Sequence, residues 1–134
     1  MILLDTNHLT ALKYRQHPRS IKLARRLMES GDDFIATTVI AYEEQHRGWL
    51  ALLARHSDPI KQVGAYAELA ALARFFSQWR LIDFDSGAAL RLQTLREERI
   101  RVGAMDLKMA AIALQHDALF LTANSRDFTK VPGL

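Results

Sequence analysis

The chain has 134 residues, of which 49% are hydrophobic and 25% charged, and this composition predicts one soluble globular domain over residues 1–134. A net charge of +3 permits a polyanionic partner without requiring one, and the absence of cysteine excludes disulfides, thiolate zinc sites and cysteine nucleophiles. No apolar run approaches the ~20 residues that span a bilayer and no signal-type leader opens the chain, so we expect a cytoplasmic protein that binds no membrane.

The first half of the chain alternates short apolar runs with helical patterns. Thr37 and Thr38 are typical helix-capping residues that follow the second apolar run. The predicted elements are a strand over 1–4, helices over 8–16 and 18–29, a strand over 34–36 and a helix through Ile40 to about Arg55.

The second half repeats this alternation. The predicted elements are a helix from Pro59 with apolar residues to Phe76, a strand over 81–84, a helix capped by Asp85 and Ser86 with apolar residues to Ile100, a helix over 106–116 and a strand over 118–121. Strands that alternate with helices favour parallel pairing. We therefore expect an α/β fold in three layers, with a central, mostly parallel sheet of short strands flanked by helices.

Acidic residues occur at related places in this predicted fold. Asp5 directly follows the first strand and Asp127 comes shortly after the last, at the strand ends where open α/β sheets bind ligands. Taken alone, Asp5 is equally well explained as a helix cap, and Asp106 as a charge favoured by the helix dipole. The adjacent pair Glu43 and Glu44 is uninformative by itself.

Together, the three isolated acids Asp5, Glu44 and Asp106 indicate more than each does alone. Oxygen ligands without cysteine or paired histidines suit Mg²⁺ or Mn²⁺ better than Zn²⁺. A divalent ion would relieve the repulsion between converging carboxylates. Such a site suits phosphoryl chemistry on a polyanion.

Four segments carry a resemblance to a known family. They are Met-Ile-Leu-Leu-Asp-Thr-Asn at 1–7, Thr-Val-Ile-Ala-Tyr-Glu-Glu at 38–44 with Gly48 beyond it, Gly-Ala-Met-Asp-Leu-Lys-Met-Ala-Ala-Ile at 103–112, and Leu-Thr-Ala-Asn-Ser-Arg-Asp-Phe at 121–128 followed by Val-Pro-Gly-Leu at 131–134. In their order and placement, these segments resemble PIN-domain ribonucleases, specifically the VapC toxins of type II toxin–antitoxin pairs. The resemblance extends over essentially the whole chain.

The resemblance implies a Mg²⁺-dependent endoribonuclease, with Mn²⁺ as a substitute, in which Asp5, Glu44 and Asp106 are catalytic metal ligands. Glu44 is preferred to Glu43 because a glycine follows it four residues later. Many relatives carry Asp where this chain has Asn124. Asn124 and the nearby Asp127 are therefore alternatives for the fourth metal ligand, Asp127 is also counted as catalytic, and the number of metal ions stays open.

The same resemblance implies binding partners. These are an RNA substrate, a cognate antitoxin that blocks the active-site groove, and a second copy of the chain in a homodimer that could join a larger toxin–antitoxin complex. Our candidates for substrate binding are Thr6, Arg47, Trp49, Arg99, Arg101 and Thr122. Capping or turn formation explains the two threonines as well, and Trp49 could equally lie in the core or in a dimer interface.

Two alternatives remain from the sequence. A receiver-type Mg²⁺-binding signalling domain would require a second acid beside Asp5 and a lysine soon after Leu121, and the chain has neither. A PIN-like RNA-binding module with reduced catalysis is kept open by Asn124 in place of an acid.

Overall fold

The computed structural model describes all 134 residues, and it contains four strands and seven helices. In chain order they are β1 (Ile2–Leu4), α1 (Thr6–Lys13), α2 (Pro18–Glu29), β2 (Ile35–Thr38), α3 (Val39–Arg55), α4 (Pro59–Phe76), β3 (Leu81–Ile82), α5 (Ser86–Glu97), α6 (Ala104–Gln115), β4 (Leu119–Leu121) and α7 (Ser125–Phe128).

The four strands form one sheet in the order β3-β2-β1-β4, and every pair is parallel. At the centre of the sheet, Leu3 of β1 lies between Ala36 of β2 and Phe120 of β4. The chain adds β2 and β3 on one side of β1 and then returns to add β4 on the other. This reversal creates a switch point at the carboxyl ends of β1 and β4, where α/β sheets bind ligands. The order differs from the flavodoxin-like 2-1-3-4-5 arrangement of receiver domains, so the receiver alternative is wrong.

Successive side chains of β1 point to opposite faces of the sheet and join two separate cores. Leu3 belongs to a core of 15 buried residues that α5 and α6 complete with a run of small and aliphatic side chains. Ile2 and Leu4 belong to a second core on the other face, with Leu9 of α1 and Leu72 of α4. The three-layer α/β prediction is confirmed, with a sheet that is wholly parallel.

The segment around α1 differs from the predicted boundaries. Its helix begins at Thr6 because the Asp5 side chain already accepts a hydrogen bond from the backbone N–H of His8. It ends at Lys13, since Tyr14 leaves the helical region with φ −97° and ψ 72°. The predicted helix over 8–16 was therefore placed too late at both ends.

Other boundaries also differ from the prediction, and α6, for example, begins at Ala104 rather than at residue 106. β2 extends to Thr38, and the Thr37 hydroxyl donates to the backbone oxygen of Leu4, so Thr38 alone caps α3. β3 has two residues because it pairs with β2 alone. α5 ends at Glu97, and Arg99 then turns the chain with φ 54°.

The longest helix, α4, has 18 residues, and charged side chains such as Lys61 and Glu68 lie along it. None of the helices joins sufficient length to sufficient apolar character to cross a bilayer.

Candidate metal centre at the carboxyl edge of the sheet

A small pocket of about 200 Å³ lies at the switch point, beyond the carboxyl ends of β1 and β4. Its lining comes from α1, α3, α6, α7 and the loops that precede them. The lining residues are Asp5, Thr6, Asn7, Glu44, Asp106, Met109, Asn124 and Phe128. Three carboxylates that are up to 101 positions apart in the chain thus share one cavity.

Asp5 is fixed from two directions. One carboxylate oxygen accepts the backbone N–H of His8 at 2.7 Å and lies 3.0 Å from Nδ1 of the same histidine. The other oxygen accepts the backbone N–H of Ala123 at 3.2 Å, across the switch point. Asp5 is only 4% exposed. Its two sequence interpretations, helix cap and pocket residue, are therefore compatible, because one side chain does both.

Glu43 and Glu44 point in different directions from α3. The Glu44 carboxylate lines the pocket and accepts a hydrogen bond from the hydroxyl of Thr6. Glu43 instead forms an ion pair with Arg47 at 2.8 Å, one turn further along the helix. Adjacent helical residues are about 100° apart, so only one of the two acids can enter the pocket.

Asn124 links two acids at the opposite side of the pocket. Its Nδ2 donates to Oδ2 of Asp106 at 3.3 Å and to Oδ2 of Asp127 at 3.0 Å. The second carboxylate oxygen of Asp127 accepts a hydrogen bond from Lys130 Nζ at 2.6 Å. Asp127 does not line the pocket, so it lies at the rim and contacts Asp106 only through the amide of Asn124.

The pKa values of the two linked acids are shifted in opposite directions. Burial raises the pKa of Asp106 above its ordinary value, and the nearby charges of Asp127 and Asp5 raise it further, while the hydrogen bond from Asn124 opposes this change. Hydrogen bonds from Lys130 and then Asn124 lower the pKa of Asp127. The charge of Asp106 inside the pocket is therefore costly, whereas the charge of Asp127 at the rim is compensated by Lys130.

No lysine or arginine forms an ion pair with Asp5, Glu44 or Asp106. The only basic side chain paired with any of them is His8, which carries a charge only when protonated. The three acids do not form a ready-made ligand set, since no three Asp, Glu or His side chains of the chain are grouped closely enough to hold a metal ion. The pocket is thus a cluster of acidic oxygen donors that no lysine or arginine neutralises.

The oxygen donors fit a hard divalent ion, because carboxylate and amide oxygens are the groups that Mg²⁺ and Mn²⁺ prefer. Asp5, Glu44 and Asp106 could supply carboxylates. Asn124 turns its amide nitrogen toward the acids, and rotation of that amide would turn its oxygen inward instead.

The predicted substrate-binding residues are distributed unevenly around this pocket. Thr6 lies in it and contacts Glu44. The Thr122 hydroxyl accepts the backbone N–H of Asn124 and so shapes the turn that carries this residue. Trp49 is half-buried against the core that includes Leu4 and Leu72, where its side chain serves packing.

The three predicted arginines lie outside the pocket lining. Arg47 is exposed and paired with Glu43. Arg99 and Arg101 are exposed in the segment between α5 and α6, and the backbone oxygen of Arg101 accepts a hydrogen bond from Lys130 at 3.5 Å.

Two residues around Asp5 were not predicted from the sequence. Asn7 lines the pocket, and His8 contacts Asp5. The spacing of three residues between Asp5 and His8 on a capped helix was the available signal, since such residues share a face. Lys130, which pairs with Asp127, is the third omission.

The largest cavity of the molecule, about 820 Å³, lies elsewhere, between α1, α2 and the end of α4. Apolar and basic side chains line it, and no acid does. The chemistry of the lining, not the size of the cavity, therefore identifies the small acidic pocket as the candidate reactive site.

A wholly parallel α/β sheet with an acidic pocket at its switch point defines the class of protein. The chain belongs to the PIN-domain family, which it matches over residues 2–134.

Several solved structures have the same fold. DNA-bound VapBC from Salmonella typhimurium has a TM-score of 0.74 at 22% identity, covering 99% of this chain and 93% of that one. VapBC-1 from nontypeable Haemophilus influenzae has a TM-score of 0.73 at 21% identity, covering 100% and 95%. FitAcB from Neisseria gonorrhoeae has a TM-score of 0.64 at 24% identity, covering 97% and 92%. At these identities the likeness establishes the fold. Among curated proteins, none matches the chain.

Proposed function

We propose that this PIN-domain chain is a metal-dependent endoribonuclease and the toxin of a VapBC-like type II toxin–antitoxin pair. The observation that carries the proposal is the pocket at the switch point, which Asp5, Glu44 and Asp106 line without a lysine or arginine partner. Such an uncompensated acidic site favours a divalent cation, and a cation there suits cleavage of a phosphodiester.

The residues that would hold Mg²⁺, or Mn²⁺ in its place, are Asp5, Glu44 and Asp106. A bound Mg²⁺ supplies a Lewis acid for the phosphate oxygens and lowers the pKa of a ligated water. For the fourth ligand we propose Asn124, because it lines the pocket, whereas Asp127 lies at the rim and is paired with Lys130. Asp127 then contributes by orienting the Asn124 amide.

The protein groups around these acids hold them in position. His8 and the Ala123 backbone fix both oxygens of Asp5, and the Thr6 hydroxyl fixes Glu44. The backbone N–H of Asp5 donates to the Leu121 oxygen at 3.0 Å and so joins the ends of β1 and β4. Positioning by neighbouring hydrogen bonds is what makes metal ligands effective.

An antitoxin partner is supported by the structural neighbours, which are themselves toxin–antitoxin complexes, several of them bound to DNA. We propose a cognate antitoxin that covers the acidic pocket, RNA as the substrate, and a homodimer that assembles into a larger complex with the antitoxin. A cytoplasmic location follows from an RNA substrate.

The proposal is tested by incubating total cellular RNA with the purified protein in Mg²⁺, in Mn²⁺ and in chelator. We expect discrete fragments with either metal and intact RNA with chelator. Fragments that appear equally in chelator would contradict a metal-dependent mechanism. Intact RNA in every condition, together with retained RNA binding, would instead assign the chain to the alternative of a binding module with reduced catalysis.

A further inference from the structure

A second cavity adjoins the acidic pocket. It has a volume of about 540 Å³, and Asn7 lines both cavities. Two other residues of its lining, His8 and Ala123, hold the carboxylate of Asp5. The second cavity therefore borders the proposed metal centre at Asn7, His8 and Ala123.

The outer wall of this cavity is a basic face of α2, formed by Arg19, Lys22 and Arg26. Spacings of three and four residues place these side chains on one side of the helix. They extend over roughly 10 Å at 1.5 Å per residue. All three are exposed, and none forms an ion pair with an acidic side chain.

On balance the basic face does not stabilise α2, although Arg26 lies in the last turn, where the helix dipole favours a cation. Lys22 and Arg26 are like charges one turn apart, an arrangement that destabilises a helix. Arg19 lies in the first turn of α2, where the helix dipole disfavours a cation. Three cations held together against these costs, and without internal acids, are suited to an anion from outside the molecule.

We propose that Arg19, Lys22 and Arg26 bind consecutive backbone phosphates of single-stranded RNA next to the bond that is cleaved. This inference rests on the proposed function and adds the side from which the substrate enters. The lining favours RNA over a protein partner, because its only large apolar side chain is Leu23, and protein interfaces depend on buried apolar anchors. Phosphate contacts of this kind fix the position of the strand without selecting its sequence.

The test compares two triple variants with the same change in charge. The first is Arg19→Gln/Lys22→Gln/Arg26→Gln. The matched control is Arg55→Gln/Lys61→Gln/Arg96→Gln, which removes three exposed cations that form no ion pair and line neither cavity. Binding of a fluorescent single-stranded oligoribonucleotide is measured by anisotropy in an Asp5→Asn background with chelator, across a range of salt concentrations.

We expect the first variant to bind the oligonucleotide roughly 10- to 100-fold more weakly than the control at about 50 mM salt. The slope of log K against the logarithm of the salt concentration should be smaller in magnitude by about 2, since each of the three phosphate contacts on a single strand contributes about 0.7. In the catalytically intact chain, KM for the oligonucleotide should rise while kcat changes little. Both triple variants should melt close to the wild-type Tm, because exposed cations without ion pairs contribute little to stability.

Three results would overturn the inference. Equal RNA affinity and equal salt dependence of the two triple variants would exclude α2 from the RNA path while leaving the nuclease assignment intact. Unchanged RNA affinity with weakened binding of the co-expressed antitoxin would assign the basic face to a protein partner. A wild-type chain that neither cuts nor binds RNA would refute the proposed function and this inference together.

Discussion

At the scale of single residues, the environments of Glu43 and Glu44 differ most sharply. Glu44 receives the Thr6 hydroxyl inside the pocket, and Glu43 pairs with Arg47 outside it. We expect Glu44→Gln to reduce metal-dependent RNA cleavage by about 100-fold or more, because it removes one charge of the metal site. Glu43→Gln should cleave within about threefold of wild type, since an exposed pair of this kind contributes little. Equal losses in both variants would contradict the assignment of Glu44.

The Thr6 hydroxyl provides a graded test of positioning. Thr6→Ala removes the hydrogen bond to Glu44 and should lower kcat for RNA cleavage by about 10- to 100-fold, the usual effect of losing a group that orients a metal ligand. Thr6→Ser keeps a hydroxyl at the same place and should recover most of this loss. The two rates are compared at saturating Mg²⁺. A Ser variant as slow as the Ala variant would show that the hydroxyl is not what matters at this position.

Asp106 links proton binding to stability. Its pKa is raised in the folded chain, so the metal-free protein binds this proton more tightly than the unfolded chain does. Asp106 therefore contributes favourably to the free energy of unfolding at low pH. This contribution is lost as the pH rises from the pKa of Asp in the unfolded chain, about 3.9, through the raised pKa in the folded chain. In metal-free buffer at pH 7, Asp106→Asn should melt at the same temperature as wild type or higher.

The same variant should lose its response to metal. Mg²⁺ at about 100 times its Kd should stabilise the wild-type chain by about 2.7 kcal/mol, whereas Asp106→Asn should gain much less. Thermal melts of both proteins with and without Mg²⁺ measure this difference. An Asn variant that is destabilised without metal, and that still gains the full Mg²⁺ effect, would exclude Asp106 as a ligand.

At the scale of elements, the starts of α2, α4 and α5 were predictable, whereas α1 and α6 begin two residues earlier than predicted. Asp85 caps α5 as expected and Asp58 caps α4 in the same way, because an acceptor side chain before a helix satisfies free N–H groups locally. Helix ends and short strands were less predictable. The length of β3 depends on its single partner β2, and pairing between distant segments leaves no local signal.

The cap of α5 gives a stability prediction at this scale. Asp85 accepts the backbone N–H of Ala88 at 2.9 Å, so Asp85→Ala should lower the free energy of unfolding by about 1 kcal/mol. Asp83→Ala, at an exposed neighbouring position where no hydrogen bond is made by the side chain, is the control and should change it by less than about 0.5 kcal/mol. Urea unfolding monitored by circular dichroism measures both values. A control that is as destabilising as Asp85→Ala would remove the cap explanation.

At the scale of the whole molecule, the parallel sheet brings the site together. Asp5 could be placed from the sequence because it follows a strand directly, and strand ends in such sheets meet at one edge. The contact of Glu44 with Thr6 joins residues 38 positions apart, and the bridge from Asn124 to Asp106 joins residues 18 apart. Both depend on how the helices pack on the sheet, so a single sequence contains the residue types but not their contacts.

The basic face of α2 is the clearest example of what the fold adds. Arg19, Lys22 and Arg26 are ordinary surface cations in the sequence, and the sequence directed attention instead to Arg47, which is paired with Glu43. Only the packing of α2 beside the start of α1 brings these cations to the edge of the acidic pocket. Within a net charge of +3, the fold thus places an acidic pocket directly beside the basic face of α2.

The central claim is that Asp5 belongs to a metal centre that cleaves RNA, and its most direct test is the rate of Mg²⁺-dependent cleavage of one oligoribonucleotide by wild type, Asp5→Asn and Asp58→Asn. Asp58 is a matched control, because it also caps a helix through its side chain but lies outside the pocket. We predict cleavage by wild type and Asp58→Asn at similar rates, and a loss of about 100-fold or more in Asp5→Asn with its fold intact by circular dichroism. Cleavage by Asp5→Asn at the wild-type rate would contradict the account.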